Sequence, residues 1–190
     1  MHVYGIINSS FKKYIVDVYG DEQAAEITDS SGVKSEVFNE YRRHDDENTL
    51  ALLKAAVEFT GETPDHHLRQ FGRFWVRRVA TNDFRGLIDS YGGDFVSLIQ
   101  NLNSMHKEIS GTFLDYSPPS FAIKELTESR YSVTYQSHRQ GFTPFVLGIL
   151  EELGDFYGLV TTIEAVETTL SDKGEKSVIC VEILKKVLEI

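Results

Sequence analysis

Tyr131-Ser132-Val133-Thr134-Tyr135-Gln136-Ser137, followed by His138-Arg139, is rich in β-branched and aromatic residues, and its reading decides how the rest of the chain is organised. Such a run favours a half-buried strand, in which side chains alternate between the two faces. Tyr135, Ser137 and Arg139 then share a face with Tyr131 and Val133. A phenol, a hydroxyl and a guanidinium on one apolar-leaning face make a socket for a carboxylate or phosphate. The plainer alternative is an ordinary strand end carrying an exposed arginine.

Upstream of this run the chain reads as helices. Ile6, Ile7, Phe11, Tyr14, Ile15, Val18 and Tyr19 fit an amphipathic helix from Gly5 to Tyr19, ended by Gly20. Residues 21–46 are polar, carry a turn signal at Asp29-Ser30-Ser31-Gly32, and predict only short helical or irregular pieces. A helix from Asn48 to Phe59 closes at Gly61, and Thr63-Pro64-Asp65 opens another that runs to about Val79. A short polar, glycine-containing segment follows. Phe95, Leu98, Ile99, Leu102, Met105, His106 and Ile109 then line one stripe of a helix, with Gly111 where a C-cap would stand.

Past Pro118-Pro119 the pattern changes to strands, near Ser120–Lys124 and Tyr131–Ser137. A helix from about Thr143 to Phe156 interrupts them. Leu159–Thr169 and Ser177–Lys185 then alternate as an antiparallel hairpin around Asp172-Lys173-Gly174. The class is α+β, a single domain over residues 1–190 with a helical N-terminal part and a C-terminal antiparallel sheet.

Composition narrows the function. The 190 residues are 41% hydrophobic and 12% aromatic, enough for a packed core with room for a cofactor-sized cavity. A net charge of −10 argues against nucleic acid and against anionic lipid surfaces as partners. Met1-His2-Val3-Tyr4-Gly5 lacks a signal-peptide pattern and no stretch has membrane-spanning length, so a cytoplasmic protein is expected. Cys180 is the sole cysteine, which excludes an intramolecular disulfide or a cysteine-rich metal cluster. No nucleophile–base pair, phosphate loop or paired-carboxylate motif stands out, and Ser137 and His138, as neighbours in a strand, point apart; a binding protein is expected rather than an enzyme.

His106 sits on the apolar stripe of its helix, four residues after Leu102 and three before Ile109. A buried imidazole is either a core residue bonded to a backbone carbonyl or a metal ligand. The remaining histidines form no competing cluster: His44 is placed in an acidic loop, His66 and His67 in an exposed first helical turn, and His138 opposite Ser137. One histidine is too few for zinc but suits haem, whose porphyrin supplies four nitrogens and whose two propionates match the Tyr135/Ser137/Arg139 socket.

The chain here resembles the haem-nitric oxide/oxygen binding (H-NOX) domain family, found in bacterial gas sensors and in the haem domain of soluble guanylate cyclase. Tyr135-x-Ser137-x-Arg139 is similar to the family's propionate-binding signature, Leu102-Asn103-Ser104-Met105-His106 to its proximal-histidine segment, and Pro119-Ser120-Phe121 to the proline that presses on the porphyrin. Gly5-Ile6-Ile7-Asn8, Asp45-Asp46 and Phe71-Gly72-Arg73-Phe74-Trp75-Val76 follow in the family's order. The resemblance implies haem b bound between the helical part and the sheet. His106 would be the iron ligand, Tyr135, Ser137 and Arg139 the propionate anchors, and Pro119 and Leu102 pocket residues beside the porphyrin.

Family members that hold oxygen stably use a distal tyrosine, and the matching position here is Phe145. With Ile7, Phe11 and Val79 it implies an apolar distal wall on which Trp75 is the one candidate donor. The expected ligand is nitric oxide, with carbon monoxide also bound and oxygen not held stably. Output is expected through release of His106, with relaxation of the haem against Pro119, to a separate signalling protein such as a histidine kinase or a cyclic-dinucleotide enzyme. Two other readings stay open: an oxygen-binding haem sensor if Trp75 donates to the gas, and a haem-free module for an anionic amphiphile such as a fatty acid.

Overall fold

The computed structural model describes residues 2–40, 42–112 and 117–186. Strand β1 (His2–Tyr4) leads into helix α1 (Gly5–Tyr19), followed by α2 (Asp21–Ser30), a 3-10 turn at Ser35–Phe38, and β2 (Arg43–Asp45), which pairs antiparallel with β1. Helix α3 spans Asp46–Thr60 and α4 spans Pro64–Phe74, the latter capped by the Thr63 hydroxyl, which accepts the His66 N–H at 3.1 Å. The chain does not continue as α-helix to Val79. Trp75–Ala80 is a π-helix, followed by α5 (Thr81–Asp83) and α6 (Arg85–Tyr91), so the expected polar connection is itself helical.

Helix α7 covers Phe95–Thr112. Gly111 therefore lies inside it, where Ser110 supports the last turn by donating its hydroxyl to the His106 carbonyl at 2.7 Å. After Pro118-Pro119 come β3 (Ser120–Thr127), β4 (Arg130–Ser137), α8 (Thr143–Phe156), β5 (Leu159–Ser171) and β6 (Gly174–Lys186). The four long strands form an antiparallel sheet in the order β3-β4-β6-β5. The last strand thus lies centrally, directly against the Tyr131–Ser137 run, with Tyr135 opposite Ser177 and Ser137 opposite Glu175.

The described residues form two apolar cores. One fills the space between the sheet and α7 and α8, with Phe95, Leu98 and Ile99 against Val133, Ile179 and Val181. The other joins α1 to α4 through Phe11, Ile15, Ile27, Leu52 and Phe71. Helix α8 belongs to both, since Val146 and Leu147 pack in the first core and Phe145 against the second. Its contact with α4 is backbone on backbone. A Cβ added at Gly148 would stand 2.0 Å from the Arg69 carbonyl oxygen, and one added at Gly72 would stand 2.1 Å from that of Phe145. Glycine at both positions is what allows so close a crossing.

Ion pairs flank this crossing. Arg69 pairs with Glu151, Arg73 reaches Asp155 at 3.0 Å, and Arg77 holds Glu152 through two bonds of 2.9 and 2.8 Å. The Arg77 bond is the chief reason the Glu152 carboxyl is held below the usual carboxylate range despite its burial.

Candidate functional site

The candidate residues reach their places from five elements. Tyr135 and Ser137 lie on β4, facing the core. Tyr135 is buried, and that burial pushes its phenol up to about 12, with Ser137 as a hydrogen-bond partner acting the other way. Arg139 is outside the strand, in the bend that follows, and is tied back by its backbone N–H, which donates to the Ser137 hydroxyl at 3.1 Å. Its Nε donates to Asp46 Oδ2 at 3.2 Å, at the first residue of α3, and its guanidinium lies 5.8 Å from the Phe142 ring centre. The arginine is not an exposed strand end: it bridges the sheet to the helical part.

His106 lies two turns from the end of α7. Burial lowers its imidazole pKa, partly countered by its hydrogen bond to the backbone of Pro119. Proline has no N–H, so the carbonyl accepts and the histidine donates. A neutral ring with one N–H fixed on a carbonyl has its other nitrogen in the lone-pair form, which is the tautomer a metal takes. The imidazole centre stands 6.1 Å from the Phe121 ring, and Phe121 stands 5.6 Å from Tyr135. Histidine, proline and socket thus line one continuous stretch of wall, with Leu102 buried one turn before His106.

Asn103, on the same helix, is a feature that pattern reading missed. Its amide donates to the Phe121 carbonyl at 2.7 Å and its carbonyl accepts the Phe121 N–H at 2.9 Å. One side chain thereby binds the start of β3 as a neighbouring strand would.

On the opposite side, Phe11 and Val79 are buried in the helical core, and Ile7, Trp75 and Phe145 pack against it. Phe71 joins the last two, its ring 6.3 Å from Trp75 and 5.0 Å from Phe145. The π-helical turn carries both Trp75 and Val79.

Three expectations need correction. His44 is not in a loop but on β2, opposite Val3. His138 lies past the end of β4, exposed in the bend. His67 is fully buried, with its ring nitrogens 3.2 Å from the Tyr14 hydroxyl and 2.8 Å from that of Thr60. Its signal was present: His67 stands four residues before Phe71 and seven before Phe74, on their stripe.

Fold and geometry together define the class: an α+β domain in which a histidine bonded to the Pro119 backbone lines up with Tyr135, Ser137 and Arg139, beside a helical half with its own apolar core. The chain belongs to the Haem-NO-binding family, whose profile matches residues 4–165, and domains of this family serve haem-based gas sensing. Soluble guanylate cyclase 89Db of Drosophila melanogaster is 25% identical over 167 residues, which is 87% of this chain and 25% of that protein. Soluble guanylate cyclase gcy-31 of Caenorhabditis elegans is 24% identical over 151 residues, 80% of this chain and 22% of that one. The chain thus spans about a quarter of the length of the curated relatives it matches. Among solved structures, an oxygen-binding H-NOX domain related to soluble guanylate cyclases superposes with a TM-score of 0.81 at 20% identity, covering 99% of this chain and 98% of that one. A Cs H-NOX variant carrying 4-cyano-L-phenylalanine gives 0.84 at 20% identity, covering 99% and 100%. The fold is that of H-NOX domains. No helix among the described residues is long and apolar enough to cross a membrane.

Proposed function

We propose that this domain holds haem b between its two cores and senses nitric oxide. The observation that carries the reading is the shared wall: a neutral His106 oriented by the Pro119 carbonyl, continuous through Phe121 with Tyr135, Ser137 and Arg139. These donors match the chemistry of haem, an iron that takes an imidazole nitrogen and two propionates that take hydroxyl and guanidinium donors. When bound, the haem supplies a ferrous iron to which small diatomic gases coordinate.

The residues of this chain govern both cofactor binding and the choice of gas. His106 would hold the iron, and Tyr135, Ser137 and Arg139 would hold the propionates. Pro119, fixed by its bond to His106, would stand against the porphyrin, and the buried Leu102 would help exclude water. Phe145 offers no donor on the distal wall, and Ile7, Phe11 and Val79 are apolar, so bound oxygen, which gains from a hydrogen bond, would be held stably there only if the Trp75 N–H reached it. Nitric oxide and carbon monoxide need no such bond. The signal would leave through α7, the helix that carries His106, as its contact with β3 changes, and a separate partner such as a histidine kinase or cyclic-dinucleotide enzyme would read it.

Absorption spectra of the purified ferrous protein test the reading. We expect a Soret band that shifts with nitric oxide and with carbon monoxide and forms no stable new species in air. His106→Gly should lose the band and free imidazole should restore it. A stable air-formed species would overturn the gas assignment, and absence of a Soret band would overturn the haem reading in favour of a haem-free pocket.

A further inference from the structure

Glu175 is buried, at 2% exposure, at the start of the central strand β6, directly opposite Ser137. A buried carboxylate is tolerated only when donors surround it. Here they come from the segment after Arg139: the Gly141 N–H, the Thr143 N–H at 2.9 Å, and the Thr143 hydroxyl. Because the Thr143 proton goes to Glu175, the Ser177 hydroxyl must donate to Thr143 at 2.5 Å, and Thr168 must donate to Ser177 at 2.9 Å. The result is a one-directional chain of hydroxyls ending on the carboxylate.

The hairpin that carries Glu175 grips the same segment elsewhere. Gln140 donates to the Ser171 carbonyl at 2.7 Å. Gly174, at φ 119°, brings its backbone so close that an added Cβ would stand 2.1 Å from the Ser137 oxygen and 2.6 Å from the His138 Cα. Residues 138–143 are therefore fastened on both sides of Arg139, whose own backbone is tied to Ser137. They also lead into α8, whose Phe145 stands on the distal wall.

We infer that Glu175 is a positioning residue for the propionate anchor, fixing the bend that presents Arg139 and the first turn of α8 at once. The inference rests on the haem reading above, but it concerns a residue outside the Tyr-x-Ser-x-Arg signature. Its charge adds no attraction for a propionate and in isolation would repel one. Its contribution is geometric, through the three donors it holds.

The test is the rate at which the loaded protein gives up haem to excess apomyoglobin, measured beside thermal unfolding. Glu175→Gln keeps the size of the side chain but replaces one acceptor oxygen with a donor facing a donor, and should speed haem loss about tenfold. In an Arg139→Ala background the same substitution should add less than about twofold, because the bend then has no guanidinium to present. Thr143→Val, which keeps both N–H bonds, should speed loss by about threefold and serves if Glu175→Gln does not fold. Unchanged haem loss in these variants, or an equal effect of Glu175→Gln with and without Arg139, would overturn the inference while leaving the haem reading intact. A wild-type chain without a Soret band would overturn the haem reading itself, and this inference with it.

Discussion

Gly148→Ala isolates the contact that joins the two halves. The added methyl carbon would stand 2.0 Å from the Arg69 carbonyl oxygen and 3.1 Å from the Arg73 nitrogen, both main-chain atoms that no rotamer change can move. An ordinary contact is reached only if α4 and α8 separate by about 1.4 Å. Separation opens a gap along both helices and stretches the Arg69–Glu151 and Arg77–Glu152 pairs beside it. Overpacking of this kind costs about 1–3 kcal/mol, and the upper half of that range applies where the backbone yields. For a domain of this size about 2–3 kcal/mol lowers the midpoint by roughly 4–12 °C. Differential scanning calorimetry of wild type and variant, at matched cofactor content, measures it. A midpoint within a degree of wild type would refute the close crossing.

Two further outcomes follow from side chains that bond across elements. Burial lowers the His67 pKa from 6.5, so below that pH the unfolded chain takes up a proton that the native ring refuses. Stability should therefore fall as pH drops below about 6.5, by up to about 1.4 kcal/mol per pH unit, and His67→Gln should flatten the dependence of the urea midpoint there; an unchanged slope would count against the burial. Asn103→Leu removes both bonds to Phe121 from an exposed position and should cost about 1–2 kcal/mol, read as a lower midpoint by circular dichroism; a midpoint equal to wild type would show that the clamp contributes nothing.

Local chemistry was the legible part of this chain. Thr63-Pro64 marks a helix start because a hydroxyl and a proline each solve a problem of the first turn, and α4 begins there. The Thr143–Phe156 helix and the Tyr131–Ser137 strand follow from periodicity alone. Strand order was not legible, because β6 alternates no differently from β5 and pairing depends on the whole sheet. The π-helical turn has no marker in Trp75–Ala80, whose residue types fit an ordinary helix equally well. For the site, the motif exposed Tyr135, Ser137 and Arg139, while the bond of Asp46 to Arg139 and the role of Glu175 escaped because the partners stand 93 and 32 to 34 residues away. Glu175 did leave a trace: it stands at the same parity as Ser177, Ile179 and Val181, a charge on the buried face of a strand.

The Asn103 clamp makes helix α7 behave as a fifth member of the sheet at one point. Two bonds from one planar amide resist sliding of the helix along β3 but allow it to turn about the amide. His106, one turn further on, holds Pro119 on the near side of that point, and the body of β3 runs away on the far side. The arrangement is a fulcrum. On the haem reading, a displacement at residue 106 would tilt β3, an edge strand of the four-stranded sheet whose Leu126, near the far end, is more than half exposed. Any molecule reading this domain along that edge would sense the angle of a strand rather than the chemistry of the pocket.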